Sequence, residues 1–412
     1  MTPRDSVSDA AFDAWVEDAR AVTVLEEIQR RNIALRRTGT ELVGPCPVCG
    51  GTDRFSVNPR RNVFCCRKGG AGGDAIALVK YLDGADFLGA CETLTGHPPP
   101  RGEGTRATPQ ELAARAEARR AKEAEREASS ARYREKERRA LYATWRAAAR
   151  HDLAPVRAYL ALRGLDLPPG APLRFLPDAP FFHGREDDGR GGTIARMIWR
   201  GPAMIAAITG PERVFAGLHC TWLDLSAPKG KAQITDPETG ELLPAKKVRG
   251  SKQGGRILLV RAPCGTPREQ KAGEGIETVL AVWAAMTRSG ADLSETEFVS
   301  GVDLGNLTGR ALESLPHPTL RKVDAAGRSR AVRVAGPVAD MDSVAMWVPG
   351  TITHQTLLAD GDSDPFTTRC AMERGQQRHR APGRFVTVAW PPEGFDFNDV
   401  LQGRHLAGKE AA

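Results

Sequence analysis

Nowhere in its 412 residues does the chain hold an apolar run of about 18 residues, the length a membrane-crossing helix needs. The first 25 residues carry Asp5, Asp9, Asp13, Glu17 and Asp18, whereas a secretory leader would be basic and then apolar, so a cytoplasmic setting is expected. An excess of one charge sign is also missing. With 58 basic residues against 51 acidic ones the net charge is +7, which excludes a histone-like polycation and leaves nucleic acid a plausible partner. No G-x-x-x-x-G-K-[ST] phosphate loop occurs, which argues against a fused ATP-driven helicase. Internal repeats are absent too. Cysteine is sparse, eight residues in all, yet four fall between Cys46 and Cys66. In a reducing compartment such crowding points to metal binding before disulfides.

What is present suggests a modular protein, because a chain of this length supports two or three separate cores. Residues 8–37 read as an amphipathic helical lead-in, with Val22, Leu25, Ile28, Ile33 and Leu35 at apolar positions. From Gly39 to Gly96 the texture is rich in Gly, Cys and turn residues and ends in a helical stretch from Asp74 to Leu82, before the breaker HPPPRG. Residues 108–150 are dominated by Ala, Arg and Glu, a composition of long solvated helices with i,i+4 ion pairs. Such a helix is either a spacer or a phosphate contact. After Pro155, AYLALRGL reads as a helix, and LRFLP, PAMIAAI, VFAGLHCTWL and RILLV read as strands, an α+β texture. From Glu274 onward ETVLAVWAAM, TEFVSG, TLLAD and RFVTVAW alternate as in a mostly parallel α/β unit, whose ligands bind at the carboxyl ends of strands.

Two constellations carry chemistry. Cys46-Pro-Val-Cys49 is a C-x₂-C knuckle, and Cys66 follows at a spacing close to that of zinc ribbons. A fourth ligand belongs at position 69, which is Gly69; Cys65, Cys91 or His97 could replace it, and zinc, a metal-poor ribbon and a disulfide all stay open. The second constellation is acidic. Glu274 follows a glycine at the start of a helical run, with the strand-like RILLVRAP and a short polar loop before it. The strand Thr356 to Ala359 then delivers Asp360-Gly361-Asp362 with Asp364, and GFDFNDVL adds Asp396 and Asp399. Clustered carboxylates repel one another and raise their pKa values unless cations neutralise them, and hard oxygen ligands suit Mg²⁺ or Mn²⁺. Turn-forming acids are the alternative. Lys246, Lys247, Arg249 and Lys252 form a dense basic group before a strand, either a phosphate contact or a solvated loop. His219 and Cys220 read as packing residues on a strand.

The stretch CPVCGGTDRFSVNPRRNVFCCRKGGAGGDAIALVKYLDGADF resembles the zinc-binding domain of bacterial and phage DNA primases, down to Gly73-Asp74 opening a helix. That resemblance implies template contacts at Arg54, Phe55, Arg60, Arg61, Arg67 and Lys68, where an aromatic between cations can stack on an unpaired base. Phe55 also reads as a core residue of a small ribbon. The acidic pieces resemble the Toprim domain shared by primases, topoisomerases and some nucleases, with Glu274 as its glutamate, Asp360 and Asp362 as its D-x-D pair, and Asp396 and Asp399 as a looser last motif. The family's acid four residues after the glutamate is Thr278 here, with Glu277 beside it. A topoisomerase would need a nucleophilic tyrosine in a DNA-gate domain, and Tyr81, Tyr133, Tyr142 and Tyr159 all fall in the ribbon end or helical segments.

The expectation is thus a multidomain α+β and α/β protein. Its parts would be a lead-in (1–38), a zinc-ribbon module (39–96), a charged helical linker (97–150), a basic α+β subdomain (151–265), a Rossmann-like Toprim domain (266–402) and a tail (403–412). An insertion is expected near 321–336, between Glu274 and Asp360. The resemblance implies template-directed primer synthesis, with divalent cations favouring in-line attack of a ribonucleotide 3′-hydroxyl on the next α-phosphate. It implies single-stranded DNA and ribonucleoside triphosphates as partners, beside a separate helicase or replication initiator, as for primase-like proteins of phages, plasmids and integrated elements. A non-catalytic or weakly active single-stranded-DNA-binding replication accessory and a metal nuclease are the rival readings.

Overall fold

The computed structural model describes residues 5–38, 41–67, 70–100, 109–187, 193–227, 229–323 and 329–407. The chain falls into two compact units, one built around the residues before Ser130 and the other around those after it. Among the described residues no helix is long and apolar enough to cross a membrane.

The first unit opens with two helices, α1 (Asp5–Ala21) and α2 (Val24–Arg30). The single lead-in expected over 8–37 is broken at Thr23, whose hydroxyl accepts from the Glu26 amide while the Glu26 carboxylate accepts from the Thr23 amide. This reciprocal cap starts a new helix, and Ile33 and Leu35 lie beyond it, packed on the ribbon core. The ribbon is an antiparallel sheet of β1 (Arg36–Thr38), β2 (Glu41–Cys46), β3 (Gly50–Asn58), β4 (Val63–Cys66) and β5 (Ala71–Gly73) in that spatial order. Asp74 accepts from the Ala77 amide and so caps α3 (Ala75–Asp83), and Asp86 does the same for α4 (Phe87–Thr95). Apolar residues of the sheet, Phe55, Val57 and Phe64, bury against Val24, Ile28 and Leu78 of the helices.

Helix α5 (Pro109–Ala147) follows, with ion pairs from Glu135 to Arg138 and Arg139 and a buried Leu141 near its end. In the second unit α6 (Ala154–Leu162) precedes β6 (Leu173–Asp187), β7 (Thr193–Thr209) and β8 (Phe215–Trp222). A short pair, β9 (Ile234–Thr235) and β10 (Leu242–Leu243), leads to β11 (Lys246–Gly250), and the main sheet runs β11-β8-β7-β6. Side chains alternate across β7 as the pleat requires. Ala203, Ile205 and Ala207 join Phe181 and Trp222 on one face, whereas Met204, Ala206 and Ile208 join α6 residues on the other.

The remaining elements are β12 (Ile257–Val260), β13 (Glu269–Gly273), α7 (Ile276–Arg288), β14 (Thr296–Ser300), α8 (Leu304–Thr308), β15 (Ser314–Val323), β16 (Ser329–Ala335), β17 (His354–Leu358), α9 (Pro365–His379), β18 (Phe385–Ala389), α10 (Phe397–Leu401) and α11 (Arg404–Ala407). The expected insertion is a two-stranded piece, β15 with β16, and residues 324–328 between them lie outside the described set. The second sheet has the order β12-β14-β13-β17-β18, parallel except for β12 at its edge. Chain order reverses between β13 and β17, which makes their carboxyl ends a topological switch point. Glu274 is delivered by β13, with the sequence EQKAG, and not by RILLV, which forms the antiparallel edge strand β12.

A polar row crosses the buried centre of this sheet. Gln270 pairs in register with Glu297 and with Gln355. The Gln355 amide donates to Gln270 at 2.7 Å, the Gln270 amide donates to Glu297 at 2.7 Å, and the buried Arg256 guanidinium completes the row on Glu297. Glu297→Leu removes the partner of a buried cation and is expected to lower the unfolding free energy by about 3–5 kcal/mol. Adding Arg256→Met is expected to recover most of that in denaturant titrations of the full chain; an equal loss in single and double variants would exclude the pair as its source.

Candidate metal centres

In the first unit Cys46 ends β2, Cys49 sits in the turn that follows, and Cys66 ends β4. Gly50 and Gly51, with φ of +63° and +91°, let the chain double back directly after the knuckle. The three thiol sulfurs lie within 4.8 Å of one another, the only such group of potential ligands among the described residues. All eight cysteines are unbridged. Cys49 Sγ stands 3.5 Å from Cys66 Sγ, and the Tyr81 hydroxyl stands 3.1 Å from both Cys46 Sγ and Cys66 Sγ. Thiol donors at this spacing fit zinc.

None of the expected substitutes for the fourth ligand reaches the cluster. Cys65 alternates with Cys66 along β4 and is exposed, Cys91 is buried between α1, α3 and α4, and His97 is exposed. Gly69 and Lys68 lie outside the described residues. Phe55 is corrected as a stacking platform, because it is fully buried against Phe64 and has no face to offer a base. Arg60, Arg61 and Arg67 are exposed, Arg67 paired with Asp53 at 3.7 Å, while Arg54 is half-buried and reaches the Cys49 carbonyl.

In the second unit Glu274 and Asp360 follow β13 and β17, neighbouring parallel strands whose last residues Gly273 and Leu358 are in register. Ser300 fixes the Glu274 backbone by donating to its carbonyl at 2.6 Å. Burial pushes the Glu274 carboxyl up to about 7, reinforced by Asp360 and Asp303 and opposed by Lys246. Asp360 is pushed up to about 6 by burial, then by Asp362 and Asp396. Gly361 permits the sharp D-G-D turn, since a Cβ there would meet the Phe395 carbonyl at 2.4 Å. A cavity of about 610 Å³ opens beside Asp360, lined by Arg369, Met372, Gln376 and Trp390.

Asp303 is the acid that sequence reading missed. It follows β14, the other neighbour of β13, caps α8 and pairs with Lys252. Its signal was an acid just beyond the third parallel strand. Val302, immediately before it, has φ of +76°, a conformation that a β-branched residue adopts only under constraint and one concentrated at functional sites.

Other expected ligands are spoken for. Asp364 caps α9 through the Thr367 amide at 2.8 Å and accepts from or pairs with His317 at 2.9 Å; the Thr367 bonds lead in holding its carboxyl down to about 2. Asp399 is engaged in the cap of α10 and with Arg404 at 3.0 Å, whereas Asp396, in the same cap, still bears on Asp360. The basic group is split by strand alternation. Lys247 lies over the Phe181 ring and Arg249 over Phe182, while Lys246 faces Glu277 at 3.4 Å.

Glu277 is fully enclosed and accepts from Tyr159, from Lys231 at 2.9 Å and from Lys246. Burial disfavours its charge, but the two ammonium groups and the phenol outweigh burial and hold the carboxyl well below the usual range. It is therefore an internal anchor, not a replacement for the acid missing at Thr278. His219 is buried on the same side, its imidazole pushed down to about 4 by burial and then by Lys246.

These features define a multidomain mixed α/β protein with a zinc-ribbon-like first region. The CHC2 zinc finger family matches residues 12–98, and a domain of unknown function (DUF7146) matches residues 135–259. The chain is similar to the DNA primase of Halalkalibacterium halodurans, 35% identical over 79 residues, and to that of Geobacillus stearothermophilus, 31% identical over 80 residues. Each match covers 19% of this chain and 13% of the relative. Among solved structures, the zinc-binding and RNA polymerase domains of Aquifex aeolicus primase align over 96% of this chain and 84% of that one, at 14% identity and a TM-score of 0.36. A DnaG primase catalytic domain bound to ssDNA aligns over 69% and 81%, at 14% identity and a TM-score of 0.37. The CHC2 match and the curated relatives support a bacterial DNA-primase-like family.

Raised carboxyl pKa values have a definite pH consequence. Between the ordinary carboxyl range and about 7, the folded chain keeps protons on Glu274 and Asp360 that the unfolded chain has released. Stability from these two groups is thus complete at low pH and is lost as pH rises through about 6 to about 7. In chelator, the melting temperature is expected to fall from about pH 5 to 8 more steeply than in Glu274→Gln/Asp360→Asn, and Mg²⁺ to remove the difference. Parallel curves in chelator would refute the assignment.

Proposed function

We propose that the chain is a DNA primase, making short RNA primers on single-stranded DNA from ribonucleoside triphosphates by metal-dependent nucleotidyl transfer. The observation that carries this reading is the placement of Glu274 and Asp360 at adjacent strand ends, both protonated more readily than free carboxyls because burial disfavours their charge and neighbouring acids add to it. Similarity to DNA primases supplies the reaction class. In this reading residues 39–96 form the template-binding ribbon, 151–265 the basic subdomain and 266–402 a Toprim domain, with the neighbouring helicase or initiator a separate protein.

Glu274 and Asp360, with Asp362 and Asp396 nearby, would hold Mg²⁺ or Mn²⁺. A divalent ion supplies there the positive charge that orients phosphates and stabilises developing charge on the reacting oxygens. The protein's own part is positional. Lys246, held by Glu277 in a cationic state, presents an ammonium group toward the carboxylates, where it can meet a triphosphate oxygen. Lys252 stands at the same edge on Asp303. In the ribbon Arg60, Arg61 and Arg67 supply exposed cations for template phosphates, which position a strand without reading its sequence. The thiols of Cys46, Cys49 and Cys66 would hold zinc as a structural ion.

The test is primer synthesis by the full chain on single-stranded DNA with ribonucleotides and Mg²⁺ or Mn²⁺. Labelled oligomers are expected from the unaltered protein, and Glu274→Gln/Asp360→Asn is expected to lower their yield by at least about 10²-fold. A folded protein that makes none overturns the reading. Equal synthesis by the double variant would move the chemistry away from these carboxylates.

A further inference from the structure

The ribbon has three thiols where a closed zinc site needs four ligands, and no other cysteine or histidine among the described residues joins them. One oxygen does stand against two of the three sulfurs. Tyr81 projects from α3, its ring stacked on Phe64 with centroids 5.8 Å apart, and its hydroxyl lies 3.1 Å from Cys46 Sγ and 3.1 Å from Cys66 Sγ. Cys49 Sγ completes the group, 3.5 Å from Cys66 Sγ.

Tetrahedral geometry can be compared with these distances. With Zn–S near 2.3 Å and Zn–O near 2.0–2.2 Å, sulfur-to-sulfur edges come to about 3.8 Å and sulfur-to-oxygen edges to about 3.5 Å. The Cys49–Cys66 separation of 3.5 Å and the two sulfur-to-phenol separations of 3.1 Å are a few tenths of an ångström shorter than those edges, so a small outward adjustment of these groups would admit the ion. The oxygen is also held there. Asp74 caps the start of α3, two turns before Tyr81, and the helix packs Leu78 into the ribbon core.

We infer that Tyr81 is the fourth ligand of a zinc ion held by Cys46, Cys49 and Cys66. On binding, each thiol and the phenol releases its proton to solvent, and a lone pair on the phenolate oxygen forms the fourth bond. Three thiolates and a phenolate bring the same charge as four thiolates, so a tyrosine here replaces the cysteine that the spacing calls for at Gly69. The inference rests on the reading that the ribbon binds zinc.

The experiment uses the full chain, stripped of metal under reducing conditions and titrated with zinc chloride. Metal content, a competing chromophoric chelator and the near-ultraviolet difference spectrum of phenolate are read together. Stoichiometric uptake with a phenolate band is expected, the band absent in Tyr81→Phe, which keeps the ring stack, and zinc affinity in that variant lower by at least about tenfold, since even losing a partner outside the ligand shell costs that much. Uptake by the unaltered chain without a phenolate band, or unchanged affinity in Tyr81→Phe, overturns Tyr81 as a ligand and leaves zinc binding standing. Failure of the unaltered chain to take up zinc overturns both.

Discussion

A single enclosed carboxylate organises the second unit. Glu277 on α7 receives the phenol of Tyr159 from α6, the ammonium of Lys231 from the segment between β8 and β9, and that of Lys246 from β11. Removing that negative charge would leave two cations facing each other inside a poorly solvated space, a more expensive state than the paired one. The same charge keeps Lys246 turned toward Glu274 and Asp360, where it offsets part of the repulsion among the acids. Packing and chemistry thus meet at one side chain that need touch no substrate.

Much of this was legible in the residues. The C-x₂-C knuckle, the Gly-Asp start of α3 and the acids at 274 and 360 are local patterns, and each lies where its pattern places it. What stayed hidden depended on pairing in space. The strand EQKAG looks like a polar loop because Gln270 is satisfied only by Glu297 and Gln355, distant in sequence. Asp303 carries no motif, and becomes a neighbour of Glu274 only because β14 lies beside β13. Lys246 and Lys247 look equivalent in a basic run, but the pleat sends them to opposite faces. Phe55 illustrates the reverse case, an aromatic among arginines that a small ribbon uses entirely for its core.

The two candidate metal centres differ in their electrostatics. In the ribbon three soft thiols lie within 4.8 Å of one another, and an aromatic stack with Phe64 keeps a phenol beside them. At the sheet switch point hard carboxylates stay farther apart, since among the described residues no three acids approach as the thiols do. Burial first, and their mutual repulsion after it, raises the proton affinity of Glu274 and Asp360. Each arrangement therefore suits a different ion.

The buried row from Arg256 through Glu297 and Gln270 to Gln355 has a kinetic side. Parallel strands joined by long crossovers come together late and can mate one residue out of step, an error that purely apolar strands of this length would tolerate for a while. Here a slipped β13 would strand the Gln270 and Gln355 amides in a dry interior. The row therefore favours the one register that sets Glu274 level with Asp360.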